Sequence, residues 1–507
     1  MYWMGIDVGT GGSRAVLINE RGGVEAVADA PHEEMRMERP FWAEQRPENW
    51  WEASRNAVCS VLAKARATGH DVGGIGLSGQ MHGLVMLDRS HNVIRPALIW
   101  CDQRSQDQVD WINQKIGKEK ILARIANPVL TGFTLPKLLW IRDHEPSHFE
   151  RIQKILLPKD YIRLKLTAQY ATDVSDASGT ALFDVAQRCW SARMVKDTGL
   201  DRLILPCTYE STDITGFITE EAAAKTGLKT GTPVVAGGGD QAASAVGNGI
   251  VEPGLVSCTL GTSGVIFAHN EQPCFDPLGR VHTFCHAVPR KWHVMGVTQG
   301  AGLSLQWLRS RLAPDASYDQ LTAEAATAPV GAQGLFWLPY LMGERTPHLD
   351  ANARAGWIGL TAKHTRADMI RAVIEGVSYS QKDGLDIIRE MGVPVDGIRL
   401  SGGGAKSPFW RQILADVFAT PVATLSIQEG SAYGAALLAL AGTSANGNVT
   451  EICRTAIKEV ARLNPRADES RFYESGHQIY RALYTALRDL YGPMQNLALQ
   501  QAADEND

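Results

Sequence analysis

The chain has 507 residues, 44% of them hydrophobic and 21% charged, with a net charge of −5. That length supports at least two domains with their own cores, and the composition is that of a folded, water-soluble protein. The acidic balance and the lack of any basic run argue against nucleic acid or anionic membranes as partners.

The chain opens Met1-Tyr2-Trp3-Met4-Gly5-Ile6-Asp7, directly into strand-like sequence. It shows no charged leader and no apolar stretch of bilayer length, so a cytoplasmic location is expected. Eight cysteines are scattered without a C-x-x-C pair. Free thiols in a reducing compartment are therefore expected, not a disulfide framework or a zinc site. The Asn448-Val449-Thr450 sequon then reads as incidental.

Residues 4–18 predict strand, Gly9-Thr10 turn, strand, with Asp7 at the end of the first strand. A helical stretch at 48–67 leads to a second strand, 72–79. Residues 102–225 have the character of an insertion. An apolar run at 233–236 then meets Gly237-Gly238-Gly239 and a lone acid, Asp240, followed by small residues through Gly247 that suit a closely packed helix. An acid on a glycine turn at the carboxyl end of a strand occupies a favoured ligand position in α/β folds. A run at 255–260 breaks at Gly261-Thr262-Ser263-Gly264, a tight hairpin whose N–H groups can face an anion. Residues 267–365 read as a second insertion, and 366–391 as a helix. The tail predicts an amphipathic helix from 449 to 461, another from 469 to 491, and a disordered polar end at 504–507.

Three landmarks recur in the same order. The hairpin around Gly9-Thr10 is echoed around Gly261-Thr262. The stretch 72–79 (VGGIGLSG) matches 395–402 (VDGIRLSG) at six of eight positions, and Thr232-Pro233-Val234 is matched by Thr420-Pro421-Val422. The shared order predicts internal duplication. Two α/β domains are expected, 1–249 and 250–507, facing a central cleft, with a hinge near 249–254 and terminal helices able to pack back on the first domain.

The candidate chemistry concentrates at these landmarks. Asp7 beside a phosphate-binding turn suits Mg²⁺ held partly through water, although a turn-forming Asp fits that hairpin equally well. Thr10 and Thr262 are placed to offer hydroxyls and N–H groups to a triphosphate. No G-x-x-x-x-G-K-[ST] occurs, so the common P-loop is absent. Asp240 suits a general base, because a hydroxyl is a poor nucleophile until a carboxylate accepts its proton. Gln241 is placed to bond a neighbouring hydroxyl. Trp100 fits a ligand-stacking face or a buried anchor equally well. Met81 taken singly reads as a core residue, whereas a backbone-satisfied core histidine is only the alternative reading of His82.

Together these features resemble the FGGY family of carbohydrate kinases, over nearly the whole chain. Residues 132–144 (GFTLPKLLWIRDH) are similar to its first signature, and 355–375 (AGWIGLTAKHTRADMIRAVIE) to its second. Gly79-Gln80-Met81-His82-Gly83 and Trp100-Cys101-Asp102-Gln103-Arg104 resemble sugar-contact motifs of the xylulokinases within that family, which often carry Asn in place of Cys101. The stretches 156–161 and 343–348 extend the match. The resemblance implies a duplicated actin/hexokinase-like (ribonuclease H-like) fold of mixed sheets flanked by helices, with ATP and Mg²⁺ as cofactors and a small sugar as partner. It makes Asp240 the base and Asp7 a catalytic residue and the metal's support. Met81, His82, Trp100, Asp102, Asp240 and Gln241 fall on the sugar, and Gly9, Thr10, Gly261, Thr262 and Ser263 on the phosphates. Gly402, Gly403, Gly404 and Ala405 fall against adenosine. The implied reaction is transfer of the ATP γ-phosphate to D-xylulose, and a homodimer is compatible with it. Another ketose or polyol (ribulose, fuculose, glycerol), or a non-kinase ATPase or sensor on the same fold, remains the alternative.

Overall fold

In the computed structural model, which describes residues 1–427, 429–445 and 447–504, the chain forms two compact units. Neither is a continuous half. One comprises Met1–Glu252, His269–His293 and Ile427–Lys458, and the other Pro253–Ala268, Val294–Ser426 and Glu459–Asp507. This departs from a single division at 249/250.

The first unit is built on β1 (Tyr2–Val8), β2 (Gly12–Asn19), β3 (Val24–Pro31), β4 (Val72–Gly79), β5 (Ile214–Phe217), β6 (Pro233–Val235) and β7 (Gly238–Gly239). Their order is β5-β6-β4-β1-β2-β3, with β7 continuing alongside β4. The β1–β2 pairing is antiparallel and the β1–β4 pairing parallel. Along β1, Met4, Ile6 and Val8 are buried at alternate positions, the period that a sheet imposes. Helix α1 (Pro47–Ala65) covers β2 and β3 with Trp50, Ala53, Ser54, Ala57, Val58, Val61 and Leu62, a three-four spacing that makes one apolar stripe. It ends at Arg66 in the left-handed conformation (φ 52°).

A helix far along the chain, Gly430–Thr443, completes this unit by packing on β1, β4 and the helix Asp240–Gly247. Backbone meets backbone here. A Cβ on Gly5 would lie 1.8 Å from the Ala432 carbonyl oxygen, and one on Gly434 would lie 1.7 Å from that of Ala243. Small residues on both faces give this late segment its place in the first unit, and a sequence boundary cannot register such contacts.

The second unit repeats the plan with β8 (Gly254–Leu260), β9 (Gly264–Asn270), β10 (Trp292–Thr298), β11 (Val395–Ser401), β12 (Val422–Leu425) and β13 (Glu459–Leu463). Their order is β10-β9-β8-β11-β12-β13. The duplication extends to register. Tyr2 pairs Val72 and Trp3 pairs Gly74 across a one-residue shift, and Gly254 pairs Val395 and Leu255 pairs Gly397 across the same shift. Asp7 opposite Ser78 thus corresponds to Thr259 opposite Ser401, whose hydroxyls are 2.9 Å apart. Only the first unit has an acid at this position.

The tail differs from expectation. The helix from Val449 stops at Ala456, and Glu459–Leu463 is a strand paired antiparallel with β12. Glu459 and Val460 are exposed while Ala461 is half-buried, a weak alternation that an amphipathic helix pattern can mimic in so short a run. The final helix runs from Ala467 to Asp504, and 505–507, most of the polar end, lie outside the described residues. Asn448 of the sequon caps a helix, its Oδ1 accepting from the N–H groups of Thr450 and Glu451 at 2.9 and 3.2 Å. All eight cysteines are free. No helix among the described residues is long and apolar enough to cross a membrane.

Candidate active site

Three strand ends of the first unit converge in register: Asp7 on β1, Ser78 on β4 and Gly238 on β7. Gly237 makes this possible. Its φ is +69°, and a Cβ there would fall 1.9 Å from the Leu77 carbonyl oxygen, so only glycine lets the chain pass so close to β4. The turn delivers Asp240 as the first residue of the helix Asp240–Gly247, with Gly239 as its cap.

Asp240 remains partly accessible to solvent, yet protein surrounds its carboxyl group. Burial, and then the nearby charge of Asp7, push its pKa up to about 7. The neighbouring Gln241, through its backbone and side chain, opposes the rise. Asp7 is also raised by burial, with the Ser431 and Ser78 hydroxyls and Arg14 acting against the rise. Its Oδ1 is a buried oxygen without a hydrogen-bond partner, an acceptor suited to a cation. Among the described residues no group of three or more His, Cys, Asp or Glu is arranged to hold a metal ion. One carboxylate supplemented by phosphate oxygens and water is the mode in which Mg²⁺ binds nucleotide sites.

The Gly9-Thr10 turn is braced from within. The Thr10 hydroxyl accepts from Trp100 Nε1 at 2.9 Å and approaches Gln80 Oε1 at 3.3 Å, and the Thr10 carbonyl accepts from Gln45 Nε2 at 2.7 Å. The hydroxyl expected on phosphate is therefore engaged with neighbouring side chains. Trp100 is 36% exposed, so it presents a ring face and is not a buried anchor.

His82 adopts the left-handed conformation (φ 69°). Its Nδ1 donates to the Gly179 carbonyl at 2.6 Å, which fixes the tautomer, and its ring stacks on Phe133 at 4.6 Å. Lys137, fully buried within the first signature, donates from Nζ to the carbonyls of His82 and Gly132 at 3.1 and 2.7 Å. The signature as sequence does not single out Lys137 for this task. A lysine within an apolar helical run was the available signal.

Two of the expected sugar contacts are buried and packed against protein. Met81 is 4% exposed and packs against Gly239, where a Cβ would come within 2.9 Å of its Cγ. It props the turn that carries the base. Asp102 is fully buried, with Oδ2 accepting from the Ala43 N–H at 2.7 Å and both oxygens held by Arg104 Nε. A carboxylate so engaged is structural.

In the second unit, Gly261, Thr262 and Ser263 form the β8–β9 hairpin, with Thr262 exposed. The helix Ala301–Leu312 steadies it. Gly302 N–H donates to the Gly261 carbonyl at 2.7 Å, and Leu303 N–H to that of Thr262 at 3.1 Å. The glycine turn lies beside it: Gly402 has φ +83°, and a Cβ there would come 2.6 Å from the Leu260 carbonyl oxygen. Gly402 and Gly403 are exposed and Gly404 partly so, whereas Ala405 is 5% exposed and faces the core. Of the stretch expected against adenosine, only the glycines are open to solvent.

Models of the FGGY family of carbohydrate kinases match this chain with the N-terminal domain at residues 2–247 and the C-terminal domain at 256–443. The chain belongs to that family. It is accordingly a phosphotransferase, and as a kinase it draws on ATP. A xylulose kinase of Escherichia coli is 40% identical over 494 residues, covering 96% of this kinase and 99% of the relative. The solved xylulose kinase of Rhodospirillum rubrum is 31% identical with a TM-score of 0.90, covering 97% of this kinase and 100% of that chain. A solved gluconate kinase of Lactobacillus acidophilus superposes as well, at a TM-score of 0.92 and 27% identity over 97% of this kinase and 99% of that chain.

Proposed function

We propose that the kinase transfers the γ-phosphate of ATP to D-xylulose, giving D-xylulose 5-phosphate and ADP, with Asp240 as general base. The observation that carries the base assignment is the Asp240 carboxyl group itself. It lies at the end of a glycine turn, surrounded by protein on a residue that is itself partly open to solvent, with its pKa lifted to about 7. A base is most effective when its pKa lies near the working pH. The choice of xylulose rests on the relatives named above and on the Met81-His82 and Trp100 stretches.

In this reading the sugar hydroxyl donates its proton to Asp240 as its oxygen attacks the γ-phosphorus and ADP departs. His82, held by Gly179 and Phe133, and the exposed Trp100 ring orient the sugar. In the first unit the Gly9-Thr10 turn offers backbone N–H groups to phosphate; in the second, the Gly261-Thr262-Ser263 hairpin does so and Gly402–Gly404 admit the adenosine. Asp7 would hold Mg²⁺ through its unpartnered oxygen, and the bound ion would supply charge neutralisation on the phosphates. A cytoplasmic location agrees with the eight free thiols.

An ADP-release assay across ketoses, polyols, aldoses and gluconate tests the reading. D-xylulose is expected to give the highest kcat/KM. A kcat/KM for gluconate or any polyol above that for xylulose overturns the substrate assignment and leaves the kinase assignment intact.

A further inference from the structure

Beneath the Asp240 turn lies a buried ionic cluster that the phosphoryl-transfer reading does not use. Lys159 Nζ contacts Asp160 Oδ1 at 2.6 Å, Asp173 Oδ1 at 2.8 Å and Asp176 Oδ2 at 3.3 Å, and all four side chains are fully buried. Three acids around one lysine overcompensate it, and the surplus is relieved at Asp176, whose pKa burial and the neighbouring aspartates push well upward. Arg163, also fully buried, lies 3.7 Å from Asp160 and donates to the Val235 carbonyl on β6 at 2.9 Å. Buried charge of this density is costly unless every partner is held in place, so the cluster forms a rigid block.

One hydrogen-bonded path leads from this block to the base. Asp173 Oδ2 accepts from the Ser175 N–H at 2.7 Å and from the Ser175 hydroxyl at 2.5 Å. With its proton committed to Asp173, Ser175 Oγ accepts from the Gly239 N–H at 3.1 Å. Gly239 immediately precedes Asp240 and is the cap of its helix. The same short segment carries Gly179, whose carbonyl fixes the His82 ring. Residues 173–180 thus touch both the backbone that aims the base and the ring assigned to the sugar.

We infer that Ser175 is a positioning residue for catalysis: through the Gly239 N–H it holds the turn that aims Asp240, with Asp173 and Lys159 anchoring it. The inference rests on the reading of Asp240 as base. Without the Ser175 oxygen, the Gly239 N–H is left unpaired in a buried site and the turn relaxes. Small displacements of a catalytic group reduce the rate of the chemical step without removing substrate contacts.

The test uses the full-length enzyme. Ser175→Ala removes one buried oxygen and adds no bulk, and Ser175→Thr restores the hydroxyl. Sugar affinity by titration calorimetry and melting temperature are measured beside steady-state kinetics. Ser175→Ala is expected to lower kcat about tenfold or more, with sugar affinity within about twofold of wild type, and Ser175→Thr to recover most of the loss. In an Asp240→Asn background, Ser175→Ala is expected to cause little further loss, because residues acting as a unit are not additive. Full kcat in Ser175→Ala, or a loss of equal size in both backgrounds, overturns the inference while Asp240→Asn alone still establishes the base. An active Asp240→Asn enzyme instead overturns the base assignment. If Ser175→Thr fails to fold, the comparison of the two backgrounds still decides.

Discussion

Asp7 and Asp240 lie close enough that the charge of the first raises the proton affinity of the second. The two carboxyl groups reach this proximity from positions 7 and 240 through the register of β1, β4 and β7. Their surroundings differ. Burial raises both; Arg14 and the Ser431 and Ser78 hydroxyls act against the rise at Asp7, whereas Gln241 alone does so at Asp240.

Replacing Asp240 by Asn keeps size and hydrogen bonding but removes the proton acceptor. Turnover is expected to fall by about 10²–10⁴-fold, with sugar affinity retained. ADP release together with calorimetric titration of xylulose checks this, and a variant keeping a third of wild-type turnover would refute it.

The pH dependence follows from the same group. Asp240 accepts a proton only when ionised, so kcat/KM is expected to decline about tenfold per pH unit below an inflection near pH 7. Stability runs the other way. The folded carboxyl holds its proton to about pH 7, while in the unfolded chain it ionises near its ordinary value of about 3.9. The contribution of this group to stability is therefore complete below the lower value, is lost as pH rises between the two, and is level above pH 7. Asp240→Asn is expected to melt above wild type at pH 8, and by a smaller margin at pH 5. Thermal melts at the two pH values decide it.

Asp7→Ala removes the buried, unpartnered oxygen offered to the cation. The magnesium concentration at half-maximal rate is expected to rise and the limiting rate to fall, because charge on the transferring group is less well neutralised. A titration that superposes on wild type returns Asp7 to the role of a turn residue.

Gly434→Ala tests how the late helix is seated. Its new methyl would lie 1.7 Å from the Ala243 carbonyl oxygen, within the helix that Asp240 begins. Overpacking between two backbones is expected to cost about 1–3 kcal/mol or more, and displacement of the Asp240 helix is expected to lower kcat as well. A denaturant melt and a turnover measurement on the same sample check both. Unchanged values would show that the helices can move apart freely.

The sequence by itself determined the strands, the glycine turns and the duplication. Period-two burial, Gly-rich breaks and the matching 72–79 and 395–402 runs are local or repetitive signals, and the register of the two sheets reproduces them down to the shared one-residue shift. It also singled out Asp7 and Asp240, because an acid at a strand end beside glycine is visible in one dimension. Orientation was not visible there. Only the tertiary structure decided that Met81 and Asp102 turn inward while Trp100 faces out. Those outcomes depend on partners such as Gly239, Arg104 and Thr10, which are brought near by folding and have no fixed spacing in the chain. The helix Gly430–Thr443 likewise joins the first unit because Gly5, Gly76 and Ala243 let backbones touch. The Lys159 cluster under Gly239 is the extreme case, since its acids look like ordinary surface residues until burial forces them to share one lysine.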